Sequence, residues 1–156
     1  MKTIIIGSGR VGRAALDISR SLNIDVLGFL DDQVPAKTVV DGLQVLGPIN
    51  RLYSYHGCKF IMAINNFQLK RWAFDQLASN TLEFITIIHP GASVSDHATI
   101  GRGAIINEFT KVYSGAIIGD FTIIEDNVSV GVDVRIGRFS TIAPMCCFGA
   151  SSSVSD

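Results

Sequence analysis

The chain has 156 residues, 47% of them hydrophobic and 17% charged, which suffices for a buried core in one ordinary domain or two small ones. A formal net charge of -1, with lysines and arginines scattered and no aromatic rings interleaved among them, leaves no footprint for nucleic acid or an anionic membrane. No apolar run approaches the ~20 residues of a membrane span. The three cysteines, two of them adjacent (Cys146 and Cys147), form neither a disulfide framework nor a zinc pattern, and the opening Met1–Gly7 is too short for a secretory signal. A reduced, cytoplasmic protein without a metal is expected.

Lys2 to Ile6 is a short apolar run closed by Gly7, the pattern of a buried strand. Val11, Ala14, Ala15, Ile18 and Leu22 then recur at helical spacing. Ile24 to Leu30 predicts a second strand, closed by Asp31-Asp32. After the turn-rich Lys37 to Gly42, Leu43 to Leu46 predicts a third, and Phe60 to Ile64 a stronger one. Leu69, Trp72, Ala73, Phe74 and Leu77 give a helix with a mixed apolar face, and Phe84 to Ile88 is a final apolar run. Strands alternating with helices predict a parallel α/β sheet, a Rossmann-like domain over residues 1–87.

From Ile88 the pattern changes. Stepping by six gives Ile88, Val94, Ile100, Ile106, Val112, Ile118, Ile124, Val130, Ile136, Ile142, Phe148 and Val154, every one aliphatic or Phe. Four residues after each stands a small or β-branched residue, as at Ala98, Ala104, Thr110, Ala116 and Thr122. Gly follows directly at Gly101, Gly119, Gly131, Gly137 and Gly149. Neither an amphipathic helix nor an alternating strand keeps such a period. A left-handed parallel β-helix does: each hexapeptide forms one side of a triangular prism, the large residue fills the interior and the small one fits the corner. The β-helix of residues 88–156 reaches Asp156 partway into a repeat, so it is expected to be truncated there, or covered by another subunit or segment.

Gly7-Ser8-Gly9-Arg10-Val11-Gly12 fits G-x-G-x-x-G between a predicted strand and a predicted helix. In that setting glycines allow a tight turn and close backbone approach, and the helix N-terminus offers N–H groups to a phosphate. Asp31-Asp32 ends the second strand, where a carboxylate accepts hydrogen bonds from a ribose or base. The same glycines also suit a bare turn that packs helix against sheet. Residues 1–87 hold only one mononucleotide half of a dinucleotide fold, which favours a nucleotide-linked ligand such as a nucleotide sugar over a dehydrogenase cofactor.

A small nucleotide-binding α/β domain followed by hexapeptide repeats resembles the bacterial sugar O- and N-acetyltransferases related to sialic acid O-acetyltransferase and UDP-N-acetylbacillosamine N-acetyltransferase. The matching stretches are Ile5-Ile6-Gly7-Ser8-Gly9, Gly28-Phe29-Leu30-Asp31-Asp32, Val45-Leu46-Gly47, Ile61-Met62-Ala63-Ile64, Ile88-His89-Pro90, Ile136-Gly137-Arg138-Phe139 and Ile142-Ala143-Pro144. The resemblance implies a homotrimer with acetyl-CoA bound between neighbouring β-helices, and a first domain that binds the nucleotide of a nucleotide-activated amino sugar. On that basis Gly7, Ser8, Gly9, Asp31, Asp32 and Asn65 face the nucleotide-linked amino sugar, Asn65 standing where the family usually has Gly. Thr141, Ala143 and Gly149 fall on the acetyl-CoA side.

The family's catalytic His is a general base in an Asp-His-Asp-like segment just before Ile-Gly. The matching Val130-Gly131-Val132-Asp133-Val134-Arg135-Ile136-Gly137 places Val132 there, and a valine accepts no proton. A second family His, associated with the acetyl-CoA pocket, aligns with Thr141. Asp133 matches the acidic neighbour of the catalytic His and is the candidate catalytic residue, to orient or polarise an acceptor; the alternative is a solvated surface carboxylate. Glu125 is a further candidate on the same terms. His89 is assigned to the domain junction, His97 to solvent, His56 to a helix end, and Cys146 and Cys147 to packing. The leading expectation is an acetyltransferase for a nucleotide-linked amino sugar in surface glycan or polysaccharide synthesis. The rival is a catalytically inert, trimeric nucleotide-sugar-binding or assembly protein, and a nicotinamide-dependent oxidoreductase rests on the glycine motif alone.

Overall fold

The computed structural model describes residues 1–78 and 81–156, and the side chain of Leu77, expected on an apolar helix face, lies outside the described residues. The chain divides into two compact units, Met1–Ile85 and Thr86–Asp156.

The first unit is a Rossmann-like α/β layer. Strands β1 (Thr3–Ile6), β2 (Val26–Leu30), β3 (Val39–Val40), β4 (Leu43–Gly47), β5 (Lys59–Met62) and β6 (Glu83–Phe84) form one sheet in the order β3-β4-β2-β1-β5-β6. Every pairing in it is parallel except β3 with β4. Ile4, Ile5 and Ile6 of the central strand are fully buried, as a strand covered on both faces requires. Helix α1 (Arg10–Ser21) packs Val11, Ala15, Leu16 and Ile18 inward. It ends in a Schellman motif: Asn23 turns left-handed (φ 55), its amide bonds Arg20 O at 3.1 Å, and the Ile24 amide bonds Ser19 O at 2.8 Å.

The structure departs from the sequence reading in two places. The turn-rich segment hides β3, which pairs antiparallel with β4 through Asp41 (φ 48) and Gly42 (φ 80), a type I′ hairpin of the Asp-Gly kind. The final apolar run is not one strand. Glu83–Phe84 is the edge of the first sheet, whereas Ile87–Ile88 begins the second unit. The amides divide accordingly, Ile85 N donating to Phe60 O at 2.9 Å and Ile87 N to Ala104 O at 3.0 Å. A 3-10 helix over Ile49–Ser54 and helix α2 (Phe67–Ala78) complete the unit.

The second unit is the left-handed parallel β-helix. Two-residue strands stack into three sheets, one per side of the prism. The register places each residue over its counterpart one coil below, Ile105 beside Ile123 and Ile123 beside Thr141 on one side, Val112 beside Val130 on the next. Ile106, Val112, Ile118, Ile124, Val130, Ile136 and Ile142 fill the interior, with Ala116, Val128 and Val134 at the corners. The hydroxyl of Thr110 occupies such a corner and donates to Glu125 O at 2.8 Å, so a polar small residue is satisfied there. From Gly103 to Ser151 every sixth residue is left-handed, through Phe109, Gly115, Phe121, Asn127, Asp133, Phe139 and Met145. Among the described residues no helix is long and apolar enough to cross a membrane.

Candidate functional site

The glycine loop lies at the C-terminal end of β1. Gly7 leaves the strand at φ 94, and its amide donates to Leu30 O at 2.8 Å, tying the loop to the end of β2. A Cβ on Gly7 would run into Ile64 and the carbonyl of Ala63. The segment after β5 therefore passes directly against the loop and carries Asn65 beside it, while Asn66 caps α2 by accepting the Leu69 amide at 2.9 Å. Gly9 differs from its neighbours. It is extended (φ -75, ψ -161), serves as the N-cap of α1 without a side-chain acceptor, and faces open space where a Cβ would stand. The first turn of α1 contains no acid. An uncapped helix start with an open approach is a place where backbone N–H groups receive an anion.

The two aspartates after β2 are held differently. Asp31 Oδ2 accepts both the amide and the hydroxyl of Ser8 at 2.7 Å, and Oδ1 accepts the amides of Gln33 at 2.8 Å and Val34 at 3.2 Å. Partial burial works to raise its pKa, but these bonds outweigh it and hold the carboxyl below the usual aspartate value. Asp32 Oδ1 accepts the Ile49 amide at 2.8 Å. Asp32 also lines a cleft of about 320 Å³ at the 3-10 helix and α2, together with Ile49, Leu52, Tyr53 and Trp72 among others. Tyr53 meets Trp72 edge-on, ring centres 6.4 Å apart at 87°, and its hydroxyl donates to Gln76 Oε1 at 3.3 Å. The sequence reading placed Trp72 on an apolar helix face and so missed this aromatic cleft; the clue was an aromatic pair that only the crossing of the two helices unites. A larger cleft of about 570 Å³ opens near Met1, Cys58 and Glu83, at the opposite end of the strands from the glycine loop.

In the β-helix, Asp133 is an exposed corner residue with φ 56, a conformation that Asp tolerates better than most side chains. Val132 beside it is 43% exposed, and its carbonyl accepts the Ser151 amide from the next coil at 2.8 Å. Gly149 belongs to that same next coil, where Gly149 and Ala150 stack over Gly131, so Asp133 and Gly149 share one corner. Thr141 and Ala143 stand one side of the prism away. Glu125 is buried and sits at a different corner from Asp133. His97 is exposed in the column of Asp133, two coils distant, and His89 accepts the Gly91 amide through Nδ1 at 2.9 Å, a local turn contact. Cys146 packs against the β-helix interior, and Cys147 is exposed on its strand.

Residues 2–77 match the family model described as the PglD N-terminal domain. Among solved structures the fold is similar to that of PerB from Caulobacter crescentus in complex with CoA and GDP-perosamine, with a TM-score of 0.80 and 23% identity over 99% of this chain and 72% of that one. WeeI from Acinetobacter baumannii AYE gives a TM-score of 0.87 and 20% identity over 100% of this chain and 76% of that one. The acetyltransferase domain of PglB from Neisseria gonorrhoeae FA1090 in complex with acetyl coenzyme A gives 0.70 and 22% over 99% and 87%. At such identities the likeness is one of fold. Comparison with curated protein sequences finds no match.

Proposed function

We propose, starting from the match of residues 2–77 to the PglD N-terminal domain family model, that this chain is an acetyl-CoA-dependent acetyltransferase acting on a nucleotide-linked amino sugar in surface glycan or polysaccharide synthesis. The observation that carries this reading is the open, uncapped start of α1 at Gly9, with the Asp32 cleft in the same unit. An anion-accepting helix start, and an acidic residue beside an aromatic cleft in the same unit, together suit a diphosphate, a ribose and a base. PerB from Caulobacter crescentus, of similar fold and solved with CoA and GDP-perosamine bound, supports the same substrate pair.

Acetyl-CoA supplies an activated thioester. The acceptor amine attacks its carbonyl carbon, the C–S bond breaks, and CoA leaves as the thiol with the proton lost by the amine. Such direct transfer depends first on positioning. Asp133 at the exposed corner is the candidate to orient the acceptor amine. Thr141, Ala143 and Gly149 are the candidate donor-side residues; Ala143 and Gly149 are small and exposed, and nothing lies within 4 Å of a Cβ placed on Gly149. A homotrimer built on the β-helix is supported by Phe109 and Met145, 64% and 76% exposed in one corner column.

Val132 favours a second reading, an inert trimeric nucleotide-sugar-binding or assembly protein, because the exposed valine supplies no proton acceptor. Thiol release from acetyl-CoA with a panel of nucleotide-linked amino sugars separates the two. Acceptor-dependent release supports the enzyme; binding without release supports the inert protein.

A further inference from the structure

We infer that Asp31 and Asp32 have separate tasks: Asp31 is a positioning residue that fixes the glycine loop through Ser8 without touching the ligand, and Asp32 is the carboxylate that meets the ribose hydroxyls. The inference rests on the nucleotide-binding reading above and assigns roles that the paired acids do not reveal in sequence. An ionised carboxylate offers about four lone-pair sites. Those of Asp31 are taken by Ser8 N, Ser8 Oγ, Gln33 N and Val34 N. A ribose hydroxyl would have to displace one of these charge-assisted bonds, which are stronger than neutral ones. Ser8 is itself buried, at 5% exposure, and commits both its amide and its hydroxyl to Asp31. Neither group is left for a phosphate, so the anion falls to the amides beyond Ser8 at the start of α1. Asp32 gives one oxygen to the Ile49 amide and stands in the cleft wall with acceptor capacity in hand.

The test uses the full chain and calorimetric titration with UDP and GDP, each beside its 2′,3′-dideoxy counterpart. The wild type is expected to prefer the ribonucleotide by roughly tenfold, the scale of one good hydrogen bond. Asp32→Ala is expected to bring that ratio close to one. Asp31→Asn is expected to weaken both forms by the same factor and leave the ratio intact, because it acts through the loop. Ser8→Ala keeps the Ser8 amide bond and should give a smaller, equally uniform loss; it serves if Asp31→Asn does not fold. In the double variant Ser8→Ala/Asp31→Asn the losses should not add, as expected for residues acting as one unit. A collapsed ratio in Asp31→Asn, an unchanged ratio in Asp32→Ala, or no ribose preference in the wild type overturns the assignment. If the wild type binds neither nucleotide in either form, the nucleotide-binding reading itself fails, and the assignment falls with it.

Discussion

The carbonyl oxygen of Gly7 lies so close to Gly12 that any Cβ there would overlap it. Gly7 and Gly12 are thus glycines for the sake of the fold, one for its positive φ and both for close approach, whereas the site of Gly9 is sterically open. Gly7→Ala and Gly12→Ala are expected to lose about 2 kcal/mol or more in urea unfolding, the scale of forced overpacking. Gly9→Ala should cost at most about 1 kcal/mol, the difference between helix N-caps, yet weaken nucleotide binding roughly tenfold by filling the space a phosphate needs. Unchanged affinity in Gly9→Ala would show that no phosphate occupies the open space at this helix start.

Much of this was legible in the sequence, for reasons visible in particular residues. The six-residue period from Ile88 to Phe148 maps onto the β-helix interior because a single large side chain per prism side leaves no freedom in register. The strand before Gly7 and the helix after it follow from local pattern in the same way. The pairing of Tyr53 with Trp72 was not legible, since it depends on how a 3-10 helix crosses α2. Nor was the difference between Asp31 and Asp32, because adjacent identical residues carry no signal of which one a distant Ser8 will claim. The division of Phe84 to Ile88 between two sheets escaped for a similar reason: both halves are apolar, and only their hydrogen-bond partners differ.

Ile124 is fully buried in the β-helix interior, in register with Ile106 below and Ile142 above. Ile124→Ala is expected to destabilise the second unit by about 2–5 kcal/mol, from lost burial and the cavity left in a narrow prism. Urea unfolding measures the loss, and amide exchange should quicken first in the coils on either side. A change below about 1 kcal/mol would show that the interior is not packed as described.

Phe109 and Phe121 share the strained left-handed corner, at φ 58 and 54, but not the same surroundings. Phe121 is buried and stacks on Phe139 with ring centres 6.5 Å apart, so its ring returns what the backbone costs. Phe109 is 64% exposed. Phe121→Asn should destabilise by about 2 kcal/mol or more, while Phe109→Asn should be neutral or stabilise by up to about 1 kcal/mol, since Asn accepts this conformation more readily. Thermal unfolding at low protein concentration checks both. At higher protein concentration the proposed homotrimer predicts the opposite, a destabilising and concentration-dependent effect of Phe109→Asn from loss of an exposed ring at a subunit contact.

Lys70 on α2 is fully buried, and burial lowers its pKa from 10.5 to about 8. Between those values the unfolded chain holds more protons than the folded one, so stability rises with pH across that window. Below about pH 8 the buried ammonium imposes its full penalty. Lys70→Met is expected to remove that rise, so that the stability difference moves in the wild type's favour by up to about 3 kcal/mol between pH 7 and 10.5. A gap that stays constant from pH 7 to 10.5 would contradict the assigned shift.

The proposed acetyl transfer to a nucleotide-linked amino sugar has to proceed with Val132 where the family resemblance implies a histidine. The most direct measurement is thiol release from acetyl-CoA, with mass analysis of the acceptor, across UDP-, GDP- and dTDP-linked amino sugars. Acceptor-dependent release is expected with at least one of them, together with a product heavier by one acetyl group and a loss of about tenfold or more in Asp133→Ala, within the range of a positioned polar group. Tight nucleotide-sugar binding with no acetylated product from any acceptor would contradict it and leave the chain as a binding protein.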